Sequence, residues 1–301
     1  MPAEEQSRVV VVTDSTASLP ARVVAERGIV VVPLQVVIGA QVYDEVLEED
    51  PGGESGGGIS GATPAMVAEA LKEFRPVSTS RPTPSALLEV YERAAEEGAT
   101  EIVSIHLSGE MSGTFESAQL AAKEASILVH PVDSRQVGVA TGYAALSAAD
   151  VLDRGGSALE AVDAARDRAA RATSLFYVDT LEYLRRGGRI GAAAAIFGGA
   201  LSVKPLLKIS DGRVATLEKV RTAGKALNRL EALVLEAAGD LDIDVCVAHL
   251  ASHARAEQLA ERLGEELADN LGGREVWCTE LGAVLGAHVG PGMVAVCVAP
   301  L

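Results

Sequence analysis

Hydroxyl groups and glycines follow an apolar run at residues 101–106, and they form the most informative segment of the chain. Residues 107–114 read LSGEMSGT and lead into a helical pattern. The free N–H groups at a helix start favour an anion, and the hydroxyls of Ser108, Ser112 and Thr114 add donors. No lysine follows the glycines, so this is not a nucleotide P-loop, and the G-x-S-x-G pattern of a nucleophile elbow is missing. The pattern predicts a pocket that holds an anion without attacking it.

Other polar groups stand where further apolar runs end. Asp14 and Ser15 follow the β-branched run at residues 9–12, and Asp133 follows the run at residues 126–132. Strands that alternate with helices imply a parallel sheet, whose ligands gather beyond the carboxyl ends of the strands. We therefore expect these groups to lie at one edge of the sheet.

The hydroxyl pair Thr79 and Ser80 is another candidate. Pro82 bars a helix at the preceding residue, Arg81, and keeps this segment open as a loop. Taken alone, such a pair is typical of a helix cap. It becomes part of a binding site if it faces Ser108.

Two further candidates lie in the second half of the chain. His288 falls in a stretch of small residues, which we interpret as a loop, before the tight turn at Gly290. A histidine there is either a hydrogen-bonded loop residue or a ligand-binding group, but no Ser-His-Asp signature accompanies it. Arg189 follows a glycine pair, where it either stabilises a helix end or supplies charge to an anionic head group.

The remaining histidines and the cysteines predict no metal site. His249 ends a strand and His253 opens a helix, so they do not share a helix face, and no cysteine or carboxylate stands at ligand spacing. His106 and His130 are expected to make hydrogen bonds in or beside strands. The three cysteines are far apart in apolar runs, and we expect reduced, buried thiols.

Composition excludes several functional classes. The formal net charge of −16 argues against a nucleic-acid partner, because such affinity comes mostly from neutralising phosphates. No apolar run reaches the roughly 20 residues of a membrane span, and the acidic N-terminus does not resemble a signal peptide. We therefore expect a cytoplasmic protein.

The order of the elements predicts an α/β fold with two domains. Residues 1–171 alternate strands and helices, as in a parallel-sheet α/β domain. Residues 172–301 are expected to form an α+β domain with a hairpin across Asp211 and Gly212. Residues 48–61 are acidic and glycine-rich and read as a flexible surface insertion.

Taken together, motifs along nearly the whole chain resemble those of the DegV family of bacterial fatty-acid-binding proteins, the lipid-carrier subunits of fatty acid kinase. No single motif decides this, but their order across both halves is highly specific. The motifs are Thr13 to Thr16 with Leu19-Pro20, Thr79-Ser80 with Pro82, Ser108 with Ser112-Gly113-Thr114, Asp133-Ser134, Thr180 to Leu184 with Gly187 to Ile190, Lys204-Pro205, Asp211-Gly212, Arg221, and Gly286 with His288 and Gly290 to Gly292.

The resemblance implies a carrier that is not an enzyme, has no cofactor or metal, and holds one long-chain fatty acid in a tunnel between the domains. Thr79 and Ser108 would hydrogen-bond the carboxyl group, and Arg189 and His288 would lie in the network around it. The full set of residues implied at the carboxyl group is Thr79, Ser80, Ser108, Gly109, Arg189 and His288. The supporting loops would contribute Asp14, Ser15, Ser112, Gly113, Thr114 and Gly290.

The resemblance also implies protein partners. Arg221 matches a position that docks the kinase catalytic subunit, which would phosphorylate the bound carboxyl with its own ATP. An acyltransferase would then receive the acyl-phosphate, with transient membrane contact allowed. This division of labour agrees with the missing P-loop.

Three features depart from the family pattern. Arg81 stands where glutamine is usual, Gly109 stands where a second serine is common, and the insertion at residues 48–61 is long. The arginine changes the charge near the head group. The glycine offers a backbone N–H in place of a hydroxyl.

Two other functions remain open. A hydrolase or transferase for a small anionic ester would use Ser108 or Ser112 as nucleophile and His288 as base. A DNA-binding regulator is disfavoured by the net charge.

Overall fold

A computed structural model describes residues 8–46, 61–191 and 204–301 of the chain. The predicted insertion at residues 48–61 lies outside these ranges except for Gly61. The strands are β1 Val9–Asp14, β2 Val30–Val32, β3 Gln35–Ile38, β4 Gln41–Glu45, β5 Gly61–Ala62, β6 Val77–Ser80, β7 Glu101–His106, β8 Leu128–Asp133, β9 Thr173–Tyr177, β10 Lys204–Ser210, β11 Arg213–Val220, β12 Ile243–His249, β13 Trp277–Glu280 and β14 Val294–Pro300.

The helices separate most of the strands. They are α1 Ala21–Glu26, α2 Pro64–Lys72, α3 Pro84–Glu96, α4 Thr114–Glu124, α5 Val139–Asp153, α6 Ala158–Arg171, α7 Glu182–Arg186, α8 Ala223–Ala238, α9 His253–Glu266, α10 Ala268–Leu271 and α11 Ala283–Val289. A 3₁₀ turn at Ser15–Ala17 follows β1. No helix in the described ranges is long and apolar enough to cross a membrane.

The first sheet has the order β2-β1-β7-β8, and all of its strands are parallel. Its central strands β1 and β7 are rich in β-branched residues and buried on both faces, as expected for a parallel sheet covered by helices. The predicted parallel α/β fold is therefore confirmed. As predicted from the sequence, Asp14 and Asp133 end strands β1 and β8 at the same edge of the sheet, on either side of His106 at the end of β7.

A small sheet with the order β5-β4-β3-β6 was not predicted. The apolar run at residues 29–38 is divided between β2 in the first sheet and β3 in the small sheet. Pro33 lies at the break, where it has no N–H to donate to a ladder. Thr79 and Ser80 lie in strand β6, which pairs antiparallel with β3, so the expectation of a loop there is wrong.

The largest sheet has the order β11-β10-β9-β14-β12-β13 and is formed entirely by residues after 172. Strands β12 and β13 run parallel, and the other pairs are antiparallel. Its β10–β11 hairpin was predicted, and Asp211 and Gly212 have φ values of 51° and 76°. These positive angles suit a two-residue hairpin turn. Two domains divided at residue 172 remain a prediction.

Helices α5 and α6 lie between the first and the largest sheets and contribute to the cores on both sides. An alanine-rich core joins them to β1 and β7, and a second cluster joins Tyr143 of α5 to Cys246 and Cys297. Helices α8 and α9 cover the opposite face of the largest sheet. Cys246 and Cys297 are buried thiols as expected, whereas Cys278 is exposed on edge strand β13, so the expectation of burial there is wrong.

Candidate ligand-binding site

An apolar cavity lies between the largest sheet, the start of α5 and helix α11. The cavity volume, counted as the space that the centre of a water molecule can occupy, is about 120 Å³. On the sheet, Ala248 and Ala295 are direct cross-strand neighbours, and Phe176 lies beside Ala295 on the other side. Small residues at the centre of a sheet leave room for a ligand that larger side chains would fill.

Polar groups gather at one part of this otherwise apolar lining. Thr79, Ser112, Arg189 and His288 all face the cavity, and all four were predicted from the sequence as site residues. The Thr79 Oγ1 atom lies 2.8 Å from His288 Nε2, so this hydrogen bond joins the small sheet to helix α11. A mostly apolar pocket with a few convergent polar groups is typical of small-molecule sites.

His288 lies in the last turn of helix α11, so the expectation of a loop at this residue is wrong. Burial lowers the pKa of His288 to about 4, and the nearby positive charge of Arg189 acts in the same direction. The imidazole is therefore neutral at pH 7. Gly187 makes room for it, since a Cβ there would lie 2.3 Å from His288 Nδ1.

Glu45 holds the other end of helix α11, and the sequence reasoning missed it. Its Oε1 atom accepts a hydrogen bond of 2.7 Å from the backbone N–H of Val284, in the first helical turn. Burial raises the pKa of Glu45. A carboxyl group at a helix start is favourable, but this one comes from strand β4, 239 positions away, so no local pattern could reveal it.

Arg189 supplies a positive charge to the cavity. Its Nε atom donates to the carbonyl of Met111 at 3.2 Å, and Nη1 donates to the carbonyl of Gly187. No carboxylate of the described residues forms an ion pair with it. Its position on the cavity wall therefore leaves the charge available to an anion.

Ser108 and Gly109 make contacts within the protein. The fully buried Ser108 hydroxyl donates to the carbonyl of Gly212 at 2.7 Å and accepts from the N–H of Glu110. The N–H of Gly109 donates to Asp133 Oδ1 at 3.2 Å. Neither residue lines the cavity, and their role at a carboxyl group stays a prediction.

Ser112 and Thr114 lie at the start of helix α4. Their hydroxyl oxygens are 2.9 Å apart, and Ser112 Oγ accepts from the Thr114 N–H at 3.3 Å. The Arg81 guanidinium donates to the carbonyl of Gly113 and to Glu116, so its charge is engaged outside the cavity. On strand β6, Ser80 is exposed and lies on the face opposite to that of Thr79.

Asp14 anchors a buried polar network. Its Oδ1 atom accepts from the N–H and the hydroxyl of Thr16, and its Oδ2 atom accepts from His106 Nδ1 at 2.9 Å and from the N–H of Leu107 at 3.1 Å. His106 Nε2 lies 2.8 Å from Ser104 Oγ, which contacts the Tyr91 hydroxyl at 2.8 Å. The side chains of Asp14, His106, Ser104 and Tyr91 are fully buried.

The Asp14–His106–Ser104 row has the order of a catalytic triad, but solvent does not reach it. The predicted core role of His106 is therefore confirmed. The candidate nucleophiles Ser108 and Ser112 form their hydrogen bonds with Gly212 and with Thr114, and neither bonds to a histidine. The described geometry gives the ester-hydrolase hypothesis no activated serine.

The other predicted positions have different surroundings. Ser15 is buried after β1, and its Oγ atom accepts from the N–H of Leu34 at 2.9 Å. Gly290 ends helix α11 with a φ of 74°, and a Cβ there would lie 2.0 Å from the ring of Tyr183. Arg221 is exposed between β11 and α8, away from the cavity lining.

Fold and site together define an α/β protein that encloses an apolar cavity with a cationic, hydroxyl-bearing end. The chain belongs to the DegV family, whose model, described as "Uncharacterised protein, DegV family", matches residues 8–301. The resemblance drawn from the motifs is therefore confirmed.

Several relatives match almost the full length of the chain. A DegV domain-containing protein of Streptomyces coelicolor is 50% identical over 291 residues, which are 96% of this chain and 98% of the relative. Among solved structures, a DegV family protein from Thermus thermophilus, described by its fatty acid binding, is 34% identical with a TM-score of 0.85 and covers 98% of this chain and 100% of its own. DegV of Bacillus subtilis, described as a fatty acid binding protein, is 31% identical with a TM-score of 0.86 and the same coverage.

Proposed function

We propose that the protein binds a single long-chain fatty acid, with the carboxyl group at the polar end of the cavity and the acyl chain along its apolar lining. The observation that carries this proposal is the Arg189 guanidinium beside Thr79 and His288 on a mostly apolar wall, where no carboxylate of the described residues forms an ion pair with it. The fatty acid binding of the Thermus thermophilus and Bacillus subtilis relatives supports it.

The two ends of such a ligand contribute differently to binding. Burial of an acyl chain gains about 0.8 kcal/mol per methylene, so a long chain supplies on the order of 10 kcal/mol. The carboxylate opposes burial unless donors or a cation replace its water. Arg189 provides the cation and Thr79 a hydroxyl, while the neutral His288 fixes the position of that hydroxyl through its hydrogen bond.

The same proposal extends to the partners. The protein acts as a carrier without an ATP site of its own and presents the carboxyl group to a separate kinase for acyl-phosphate formation, before transfer to an acyltransferase. Arg221 is the proposed kinase contact. Arg221 is exposed and is not one of the residues that line the cavity, which is compatible with a docking role.

The head-group assignment is tested with Arg189→Gln. Protein purified gently from a bacterial host is expected to carry fatty acids of mixed length in native mass spectrometry. The variant should bind a fluorescent fatty acid about tenfold to a hundredfold more weakly, because a hydrogen bond to a charged group contributes about 1.5–3 kcal/mol. Its affinity for the matching fatty alcohol should stay unchanged.

Arg185→Gln is the matched control, since Arg185 is exposed on α7 and does not line the cavity. Equal losses for acid and alcohol would show that Arg189 supports the fold and does not recognise the carboxyl group. Wild-type protein that neither retains a fatty acid nor binds the fluorescent one would refute the whole proposal.

The partner assignment is tested with Arg221→Ala. Lipid binding should be retained, while acyl-phosphate formation by the kinase should fall by about tenfold or more, as for an arginine that carries much of an interface. Lys123→Ala, an exposed cation at the end of α4, should change neither measurement. Loss of both activities in the Arg221 variant would assign the residue to the fold or the cavity.

A further inference from the structure

Three side chains outside the cavity come together around one point. His249 Nε2 lies 3.4 Å from His253 Nδ1, and a ring nitrogen of each histidine lies within 4.8 Å of the Cys278 sulfur. We propose that His249, His253 and Cys278 bind a zinc ion. Two imidazoles and a thiolate are ligands that Zn²⁺ prefers, and three protein ligands leave the fourth position to water.

The fold explains why these residues meet although they are far apart in sequence. Strands β12 and β13 are parallel neighbours, with Val247 beside Cys278 and His249 beside Glu280. Because strand side chains alternate, His249 and Cys278 lie on the same face of the sheet. Helix α9 begins at His253 over this face. Ala248 points the other way, into the lipid cavity, so the two sites lie on opposite faces of the sheet.

The spacing suits tetrahedral zinc. With bonds of about 2.0 Å to nitrogen and 2.3 Å to sulfur, two nitrogen ligands lie about 3.3 Å apart, and nitrogen and sulfur about 3.5 Å apart. The observed His249–His253 distance of 3.4 Å matches the first value. The Cys278 sulfur lies within 4.8 Å of a ring nitrogen of each histidine, and because its side chain is exposed, a change of rotamer can close the remaining distance.

The nitrogens that would not bind the metal face carboxylates. His249 Nδ1 is buried without a hydrogen-bond partner and lies 4.0 Å from Glu280 Oε1, while His253 Nε2 lies 3.7 Å from Glu257 Oε2. Carboxylates that hydrogen-bond to imidazole ligands orient them and raise their basicity, and these two lie just outside hydrogen-bond distance. Binding of a dication by the Cys278 thiolate would displace the thiol proton to solvent.

Cobalt titration of the reduced full chain tests the site. Tetrahedral Co²⁺ should give visible d–d bands and a thiolate-to-cobalt charge-transfer band, and Zn²⁺ should abolish both. Cys278→Ser should lose the charge-transfer band. Glu280→Gln should weaken binding by roughly 10- to 100-fold, the loss typical when a carboxylate beside a metal ligand is removed. His253→Gln removes a ligand itself and should weaken binding by more than this.

His130→Gln is the control, because His130 contacts Glu101 on the first sheet and should leave the titration unchanged. Thermal melting of each variant checks that it folds, which is expected because Cys278 and His253 are both exposed. Failure of wild-type protein to give a saturable cobalt spectrum would overturn the proposal. A charge-transfer band that persists in Cys278→Ser would do the same.

Discussion

Replacement of Asp14 by alanine is expected to lower the free energy of unfolding by about 3–5 kcal/mol, the loss typical when one partner of a buried polar pair is removed. The carboxyl group accepts hydrogen bonds from Thr16, His106 and Leu107 in a site without solvent. Alanine leaves all of these donors buried and unpaired, and each such group costs about 1–3 kcal/mol. Urea denaturation followed by circular dichroism measures the change.

Asp14→Asn is the control for this experiment. The amide keeps the size of the side chain and one accepting oxygen, so its loss should be smaller than that of alanine. A loss below about 1 kcal/mol for Asp14→Ala would mean that water enters the site and replaces the lost bonds. The interpretation of a sealed network would then be wrong.

Ala295→Phe is expected to weaken fatty acid binding by about a hundredfold. Ala295 lies at the centre of the largest sheet between Phe176 and Ala248, and it lines the cavity. A phenyl ring there would occupy the space of about four methylenes, which corresponds to about 3 kcal/mol of lost burial. Displacement of a fluorescent fatty acid and native mass spectrometry measure the effect.

Ala295→Ser is the control, because it changes the native residue without filling the cavity. Serine is nearly the size of alanine, so this variant should retain fatty acid binding within about tenfold. Melting temperatures should show that the phenylalanine variant folds, because its ring enters existing space. Wild-type affinity in Ala295→Phe would place the acyl chain elsewhere and contradict the proposed position of the ligand.

Much of the first sheet could be predicted because its signals are local. The run at residues 101–106 and the polar residues after it are contiguous in sequence, and strand β7 has those bounds. The hairpin at Asp211 and Gly212 is likewise a short-range pattern. Thr79, Ser112, Arg189 and His288 were all singled out from the sequence, and the structure brings them to one cavity.

The errors have physical causes that a linear pattern does not report. Helix α11 is flanked by Gly282 and Gly290 and its residues are mostly small, so its sequence reads as a loop. Its first turn is hydrogen-bonded to Glu45 of a distant strand, which no local pattern reveals. Strand β6 was missed because Thr79 and Ser80 are polar and precede a proline. Cys278 could not be placed beside His249 and His253 without the register of β12 and β13.

The hydrogen bond between Thr79 and His288 lies at a place where ligand binding and folding are coupled. The empty and the ligand-bound protein therefore differ in their free energy of unfolding. This hydrogen bond joins strand β6, from before residue 81, to helix α11, near the end of the chain. Under the proposed function the acyl chain completes the hydrophobic packing beneath this contact. Ligand and fold are then linked by mass action, so each tenfold excess of free fatty acid over its dissociation constant adds about 1.4 kcal/mol to stability. The protein would be most resistant to unfolding with fatty acid bound, and release of the fatty acid would return it to its least stable state.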